Sequence, residues 1–353
     1  MKIMIDIGHP AHVHYFKNFI KILEKKGYKF CVIARNKEVT HKLLNHYNIN
    51  YISRGKGAKS FLGKLSYLFK ANYFIYKNAK NFKPDLFLSF ASPYAAQVSY
   101  FINKPHISFT DTEHAKLGNI AFATFTNTIL TPRCIPISFG KKHLKFNGYM
   151  ELCYLHPNYF MPNENIYKEL NISSNEKFII IRFVSWDASH DFGKDRISLK
   201  DKITLVKKLS KKYKVFVSSE SSLPSEINEF NIKIAPHKMH DALYYASLFI
   251  GEGATMASEC AMLGTPSIYV NSIKCATCDE QEYKFGLLYN FRNINGVMKK
   301  ALEILSSNNS LDYYIKKRNI LIKNNIDVTK FMVWFVENYP SSVKLHQEST
   351  NYK

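Results

Sequence analysis

No run of about 18 or more consecutive apolar residues occurs in these 353 residues, which excludes an ordinary membrane-spanning helix. The opening MKIMIDIGHPAH is no secretory leader either, since its apolar run is short and contains Asp6. Cysteine is sparse. Its six copies are scattered, so reduced thiols and a cytoplasmic location are expected. The lone pair Cys275 and Cys278 lacks the second pair that a zinc site would need. Nucleic-acid-binding motifs are missing as well, so no nucleic-acid partner is expected. Acid is scarce: 28 Asp and Glu stand against 49 Lys and Arg, a net charge of +21. Such a balance favours anionic partners, here an anionic membrane surface on the inner face of the cell membrane. The excess is mostly Lys beside much Asn and Ile, a bias that an AT-rich genome also produces.

Hydrophobic residues make up 46% of the chain, and its length suffices for two domains with separate cores. Apolar runs at 2–7, 30–34, 51–53, 85–89, 107–109 and 128–130 read as strands. They alternate with amphipathic stretches at 13–26, 37–47 and 61–82. This alternation predicts a doubly wound parallel sheet. The pattern breaks over 145–165, which holds two Pro, one Gly and several Asn. A second series follows, with strands at 178–184, 214–218, 232–235, 248–250 and 267–270 and helices at 199–212, 241–247 and within 293–325. The predicted organisation is a domain over 1–150, a hinge over 151–165 and a second domain over 166–325. A helix over 326–340 is expected to return to the first domain, and 341–353 to be disordered.

The segment Gly251–Val270, GEGATMASECAMLGTPSIYV, reads as strand end, glycine turn, helix and second strand. A helix start offers unpaired N–H groups and partial positive charge, a natural seat for a diphosphate. Gly251 and Gly253 let a phosphate approach the backbone. Glu259 lies four residues beyond Thr255, on the same helix face, where it can accept ribose hydroxyls. The plainer alternative is a tight turn before a packing helix, with Glu259 solvated. Arg182, at a strand end, suits a charge-assisted contact with a diphosphate.

After the first strand comes Gly8-His9-Pro10-Ala11-His12-Val13-His14. Histidines in a loop beyond a strand's carboxyl end can serve as bases or orient an acceptor. His9 and His12 are the catalytic candidates, with Gly8 and His14 nearby for acceptor binding. The alternative is that they cap or pack the following helix. Thr110-Asp111-Thr112-Glu113-His114 offers Asp111 and Glu113 as further bases and His114 as an acceptor contact. The competing reading is an N-cap with first-turn acid. Ser92-Pro93 marks a helix start that could also touch the acceptor.

Five ordered blocks, MIDIGHPAHVHYFKN, ASPYAAQV, DTEHAKL, RFVSWDASHD and GEGATMASE, resemble an uncharacterised prokaryotic family, domain-of-unknown-function family 354. The glycine segment is also similar to the donor motif of GT-B glycosyltransferases, including the enzyme that forms lipid II, and to UDP-N-acetylglucosamine 2-epimerases. The resemblance implies a GT-B fold, two Rossmann-like domains facing a central cleft. It implies inverting, metal-independent transfer from a UDP-sugar, first UDP-N-acetylglucosamine, to a glycan or lipid-linked acceptor, with no other cofactor. No DxD-type motif stands at the donor segment. The donor set it implies comprises Arg182, Ser185, Ser219, Glu220, His237, Met239, Gly253, Ala254, Thr255, Met256, Glu259 and Glu280. A UDP-sugar 2-epimerase and a non-enzymatic nucleotide-sugar or nucleic-acid binder remain alternatives. The epimerase would want an HRRE-like strand end where RFVSW stands.

Overall fold

The computed structural model describes all residues except 59, 184–196, 220–221, 308–309 and 352–353. The chain divides into two compact units, Met1–Tyr154 with Ile326–Lys353, and Leu155–Asn325. The first unit runs β1 (Lys2–Ile7), α1 (Pro10–Lys25), β2 (Lys29–Ala34), α2 (Thr40–His46), β3 (Tyr51–Ser53), α3 (Phe61–Phe82), β4 (Leu86–Phe90), α4 (Pro93–Phe101), β5 (His106–Phe109), α5 (Lys116–Ala123), β6 (Thr128–Pro132) and β7 (His143–Phe146). The short α6 (Leu152–Leu155) follows. The seven strands are parallel in the order β3-β2-β1-β4-β5-β6-β7. The chain winds outward from β1 to β3, then crosses back through α3 to β4 and continues to β7. Right-handed crossovers therefore put α1 and α2 on one face and α3, α4 and α5 on the other.

Burial on both faces explains the near-continuous apolar strands. Met4, Ile33 and Phe87 pack under Ile75 and Ala79 of α3 and under Ala95 and Val98 of α4. On the opposite face α1 buries Val13, Phe16, Phe19, Ile20 and Leu23, spaced for one helical stripe. This helix starts at Pro10, three residues before the apolar periodicity begins. The His9 side chain caps it, and Pro10 fits the first turn, where its missing N–H costs nothing.

The second unit contains α7 (Ile166–Glu169), β8 (Phe178–Phe183), α8 (Leu199–Ser210), β9 (Lys214–Ser219), α9 (Met239–Tyr245), β10 (Leu248–Gly251), α10 (Ala254–Leu263), β11 (Ser267–Val270), α11 (Ala276–Glu280), β12 (Leu288–Phe291), α12 (Val297–Ser306) and α13 (Ser310–Lys323). Its sheet is again parallel, in the order β12-β11-β10-β8-β9. The strand expected at 232–235 is absent. Asn231 makes a single parallel bridge to Val217, and Pro236–Lys238 turns into α9 instead. Strands β7 and β12, at the sheet edges, carry too few consecutive apolar residues to read as strands from sequence.

The chain then returns to the first unit through α14 (Val328–Glu337) and α15 (Ser341–Asn351). Asp327 caps α14 by accepting from Lys330 N at 3.0 Å. Thr329 Oγ1 donates to Cys153 O at 2.8 Å, and Lys26 pairs with Glu337 at 2.7 Å. Gly148 makes room for this return, since a Cβ there would stand 2.7 Å from Val328 Cγ2. Residues 341–351 were expected to be disordered and are helical. Ser342, fully buried, donates to Phe335 O at 2.7 Å, and His346 Nε2 lies 2.8 Å from Lys145 O. The sequence signal is weak because these anchors are polar.

Candidate functional site

In open parallel sheets, ligands gather beyond the strand carboxyl ends where strand order reverses. In the second unit that point lies between β8 and β10, with Arg182 opposite Gly251. A Cβ on Gly251 would meet Arg182 O at 2.8 Å and Phe249 Cζ at 2.6 Å. Gly251 is therefore demanded by strand packing. Gly253 differs, with nothing within 4 Å of its would-be Cβ. It is the N-cap of ten-residue α10, and among the described residues no side chain caps the helix. The amides of Ala254, Thr255 and Met256 thus begin a partly exposed helix start, suited to phosphate oxygens. Arg182 Nη1 donates to Ser218 Oγ at 2.8 Å, which ties its guanidinium toward β9, on the side of β8 away from β10.

One turn deeper, Glu259 is buried, not solvated. Its Oε1 lies 3.0 Å from His240 Nε2, and both side chains are at most 7% exposed. A ribose bound here would share that carboxylate with His240. His237 and Met239 sit half-buried where the 3₁₀ turn passes into α9, and Ser219 ends β9. Glu280 ends α11 and pairs with Lys284 at 3.0 Å. Its neighbour Gln281 points inward, donating to Ser258 Oγ at 2.7 Å. Ser185 and Glu220 lie outside the described residues.

In the first unit the reversal lies between β1 and β4. There the Gly8-His9 turn and the first turn of α1 meet the end of β4 and the start of α4, with the His12 ring 4.9 Å from that of Phe90 and Ser92 bonded to Asp6. His9 Nδ1 accepts from Ala11 N at 3.2 Å, the capping alternative, and His12 Nδ1 accepts from Gly8 N at 3.3 Å. With Nδ1 used as acceptor, neutral His12 carries its proton on Nε2. Burial, then the charges of His9, Lys37 and Arg54, push its pKa well below the usual histidine value. His12 is therefore a neutral donor and a poor base. His14 is buried, its ring 5.0 Å from Tyr154 and 5.8 Å from Tyr47, so the expected acceptor contact gives way to packing. Ser92 is likewise buried. It caps α4 through Ala95 N and donates to Asp6 Oδ2 at 2.5 Å, which commits its hydroxyl. Gly8 is partly buried, with Arg54 Nη2 3.7 Å from its would-be Cβ.

Asp111 follows β5. Burial pushes its pKa up to about 6, against a hydrogen bond from Thr112 Oγ1 at 3.2 Å. A carboxyl titrating near neutrality is suited to general base work. Neither Asp111 nor Glu113 caps α5, whose N-cap is Ala115. Glu113 Oε1 lies 3.5 Å from His114 Nε2. Among the described residues no three His, Cys, Asp or Glu side chains cluster as metal ligands would.

The family model of proteins of unknown function, DUF354, matches residues 1–340. The chain belongs to this family. An uncharacterized protein of Methanocaldococcus jannaschii is 26% identical over 281 residues, covering 76% of this chain and 81% of its own length. Among solved structures, Staphylococcus aureus MnaA in complex with UDP aligns with TM-score 0.72 at 12% identity, covering 97% of both chains. The UDP-GlcNAc 2-epimerase of M. jannaschii aligns with TM-score 0.65 at 13% identity over 96% of this chain and 100% of its own. The Streptomyces glycosyltransferase SsfS6 aligns with TM-score 0.60 at 11% identity over 96% and 100%. The two Rossmann-like units are those of a GT-B fold.

Three buried charge contacts of this DUF354 member escape a linear reading. Arg54 grips Asp6 through Nε at 2.8 Å and Nη2 at 3.3 Å, donates to Tyr67 OH and lies 4.7 Å over the Tyr94 ring. Lys202 pairs with Glu252 at 3.0 Å beside the glycine turn. His240 meets Glu259 as described. The partners stand 48, 50 and 19 residues apart, so spacing gives no signal.

Proposed function

We propose that this protein is a UDP-sugar-dependent glycosyltransferase with UDP-N-acetylglucosamine as its first candidate donor. The observation that carries the nucleotide part is the helix start at Gly253, which no side chain among the described residues caps, with the buried Glu259–His240 pair one turn deeper. Diphosphate oxygens would take the Ala254–Met256 amides, and Glu259 would accept from the ribose. In the transfer, a base takes the acceptor hydroxyl proton as that oxygen attacks the anomeric carbon, and Asp111 is the candidate for that base. The bond to UDP breaks with its electron pair leaving on the diphosphate. Arg182 and the helix start oppose that growing charge. His12 would donate through Nε2 to the acceptor.

A second reading, UDP-sugar 2-epimerase, is favoured by the higher TM-scores to epimerases than to the glycosyltransferase. A thermal-shift panel of UDP, GDP, CMP and TDP tests the nucleotide. Saturation at about 100 times Kd stabilises by about 2.7 kcal/mol, and UDP should give the largest shift. No response to any of the four would end the nucleotide reading. Proton NMR of UDP-N-acetylglucosamine with the protein then separates the reactions. A 2-epimer signal without acceptor means epimerase, and acceptor-dependent UDP release means transfer.

A further inference from the structure

We infer that the outer face of α3, α4 and α5 docks on an anionic lipid bilayer. The net positive charge favours an anionic partner but gives it no place on the fold. On α3, the outward positions hold Leu65, Phe69 and Tyr73, one turn apart, with the two aromatics each 68% exposed. Exposed lysines 70, 77 and 80 stand on the same face. The apolar surface continues across the neighbouring helices. Phe101 of α4, 77% exposed, lies 5.8 Å from the Tyr76 ring of α3. On α5, Leu117 is 85% exposed. Soluble surfaces seldom gather large apolar groups in this way without a partner.

Charge selects the partner. From residue 39 to residue 84 the sequence has nine Lys or Arg and no Asp or Glu. Helix α3 therefore has no acidic residue to pair with its lysines. Apolar side chains along one helix face with lysines interleaved are the chemistry of an interfacial helix. The aromatics enter the headgroup boundary while the lysines extend toward phosphates. A nucleic acid would use the lysines but leave Leu65, Leu117 and Ile120 without a role. The face does not span: among the described residues no helix is long and apolar enough to cross a membrane. The geometry is that of a helix lying in the surface.

Co-sedimentation of the full chain with vesicles tests this independently of the nucleotide-sugar reading. Vesicles of phosphatidylcholine with phosphatidylglycerol should bind roughly 100-fold more tightly than phosphatidylcholine alone, from three lysines at the surface. F69S/Y73S should weaken binding roughly 10-fold or more. K70E/K77E should remove the preference for anionic lipid. Both pairs are exposed, so each variant should keep the wild-type thermal shift with UDP. Equal binding to both vesicle types, or none, overturns the proposal. So does binding that F69S/Y73S leaves unchanged, which would be plain electrostatic adsorption. Retention on RNA without vesicle binding reassigns the face to nucleic acid. A dimer that F69S/Y73S dissolves, again without vesicle binding, reassigns it to self-association.

Discussion

Both units place a loop and a helix start at the point where strand order reverses, yet they fill it oppositely. In the second unit, no side chain among the described residues caps the start of α10 at Gly253, while Glu259 is tied to His240 one turn deeper and Glu252 to Lys202 just before the turn. In the first, His9 and His12 bond to their own loop, while Asp6, Arg54 and Ser92 lock together behind it. The same topology thus yields a helix start with its amides uncapped among the described residues in one unit and a self-satisfied wall in the other. Substitutions at the second should cost ligand affinity, whereas substitutions at the first should cost stability.

The largest effect expected is at Asp6. Asp6→Ala leaves the Arg54 guanidinium buried and unpaired by its carboxylate, and should destabilise by about 3–5 kcal/mol. Urea unfolding measures it; a loss under 1 kcal/mol would mean that the lock is dispensable.

Next comes acid lability. His106 is fully buried, with Nδ1 2.9 Å from Thr126 Oγ1 and Nε2 2.9 Å from Ser89 Oγ. Burial lowers its pKa to about 3, and lowers His143 to about 4 and His12 well below the ordinary value. The unfolded chain binds protons at these sites below about pH 6.5 and the folded chain does not. Stability is therefore full above that pH and falls below it, by about 1.4 kcal/mol per pH unit for His106 alone. Denaturant melts between pH 7 and pH 5 should show the slope, and His106→Gln should flatten it.

The glycine pair sharpens the contrast inside the second unit. Gly251→Ala should destabilise by about 1–3 kcal/mol through its clash with Arg182 O and Phe249. Gly253→Ala should leave stability nearly unchanged while weakening UDP, as isothermal titration would show. A smaller effect is the pH limb of turnover: activity should rise with pH through about 6 as Asp111 loses its proton. Asp111→Asn should abolish turnover with the UDP affinity intact. A limb at the same pH in His12→Gln would agree with the assignment, and its disappearance there would shift the base to His12.

What the sequence made legible follows from what periodicity encodes. Apolar runs at 2–7 and 178–184 and the glycine turn before α10 are local signals, and they led to both reversal points. The packed fates of His14 and Ser92 are not local. Each depends on a group brought in by another element: Tyr154 from the end of the unit's first segment, and Asp6 from β1. A buried ion pair such as Asp6–Arg54 escapes the sequence, because Asp6 shows only as a break in an apolar run and its partner stands 48 residues away. The helix over 341–351 escaped for the same reason, its anchors being Ser342 and His346.

The return of the chain through α14 carries a consequence for synthesis. The first unit is assembled from both chain segments, and α14 packs on α1 and bonds to Cys153. On the ribosome, residues 2–154 emerge early but cannot bury that side of α1 until residues 328–337 have followed. Leu155–Asn325, one continuous segment, has no such wait. Vectorial translation would therefore complete the later-encoded unit first, leaving the nascent amino-terminal sheet in need of shelter until the final helices arrive.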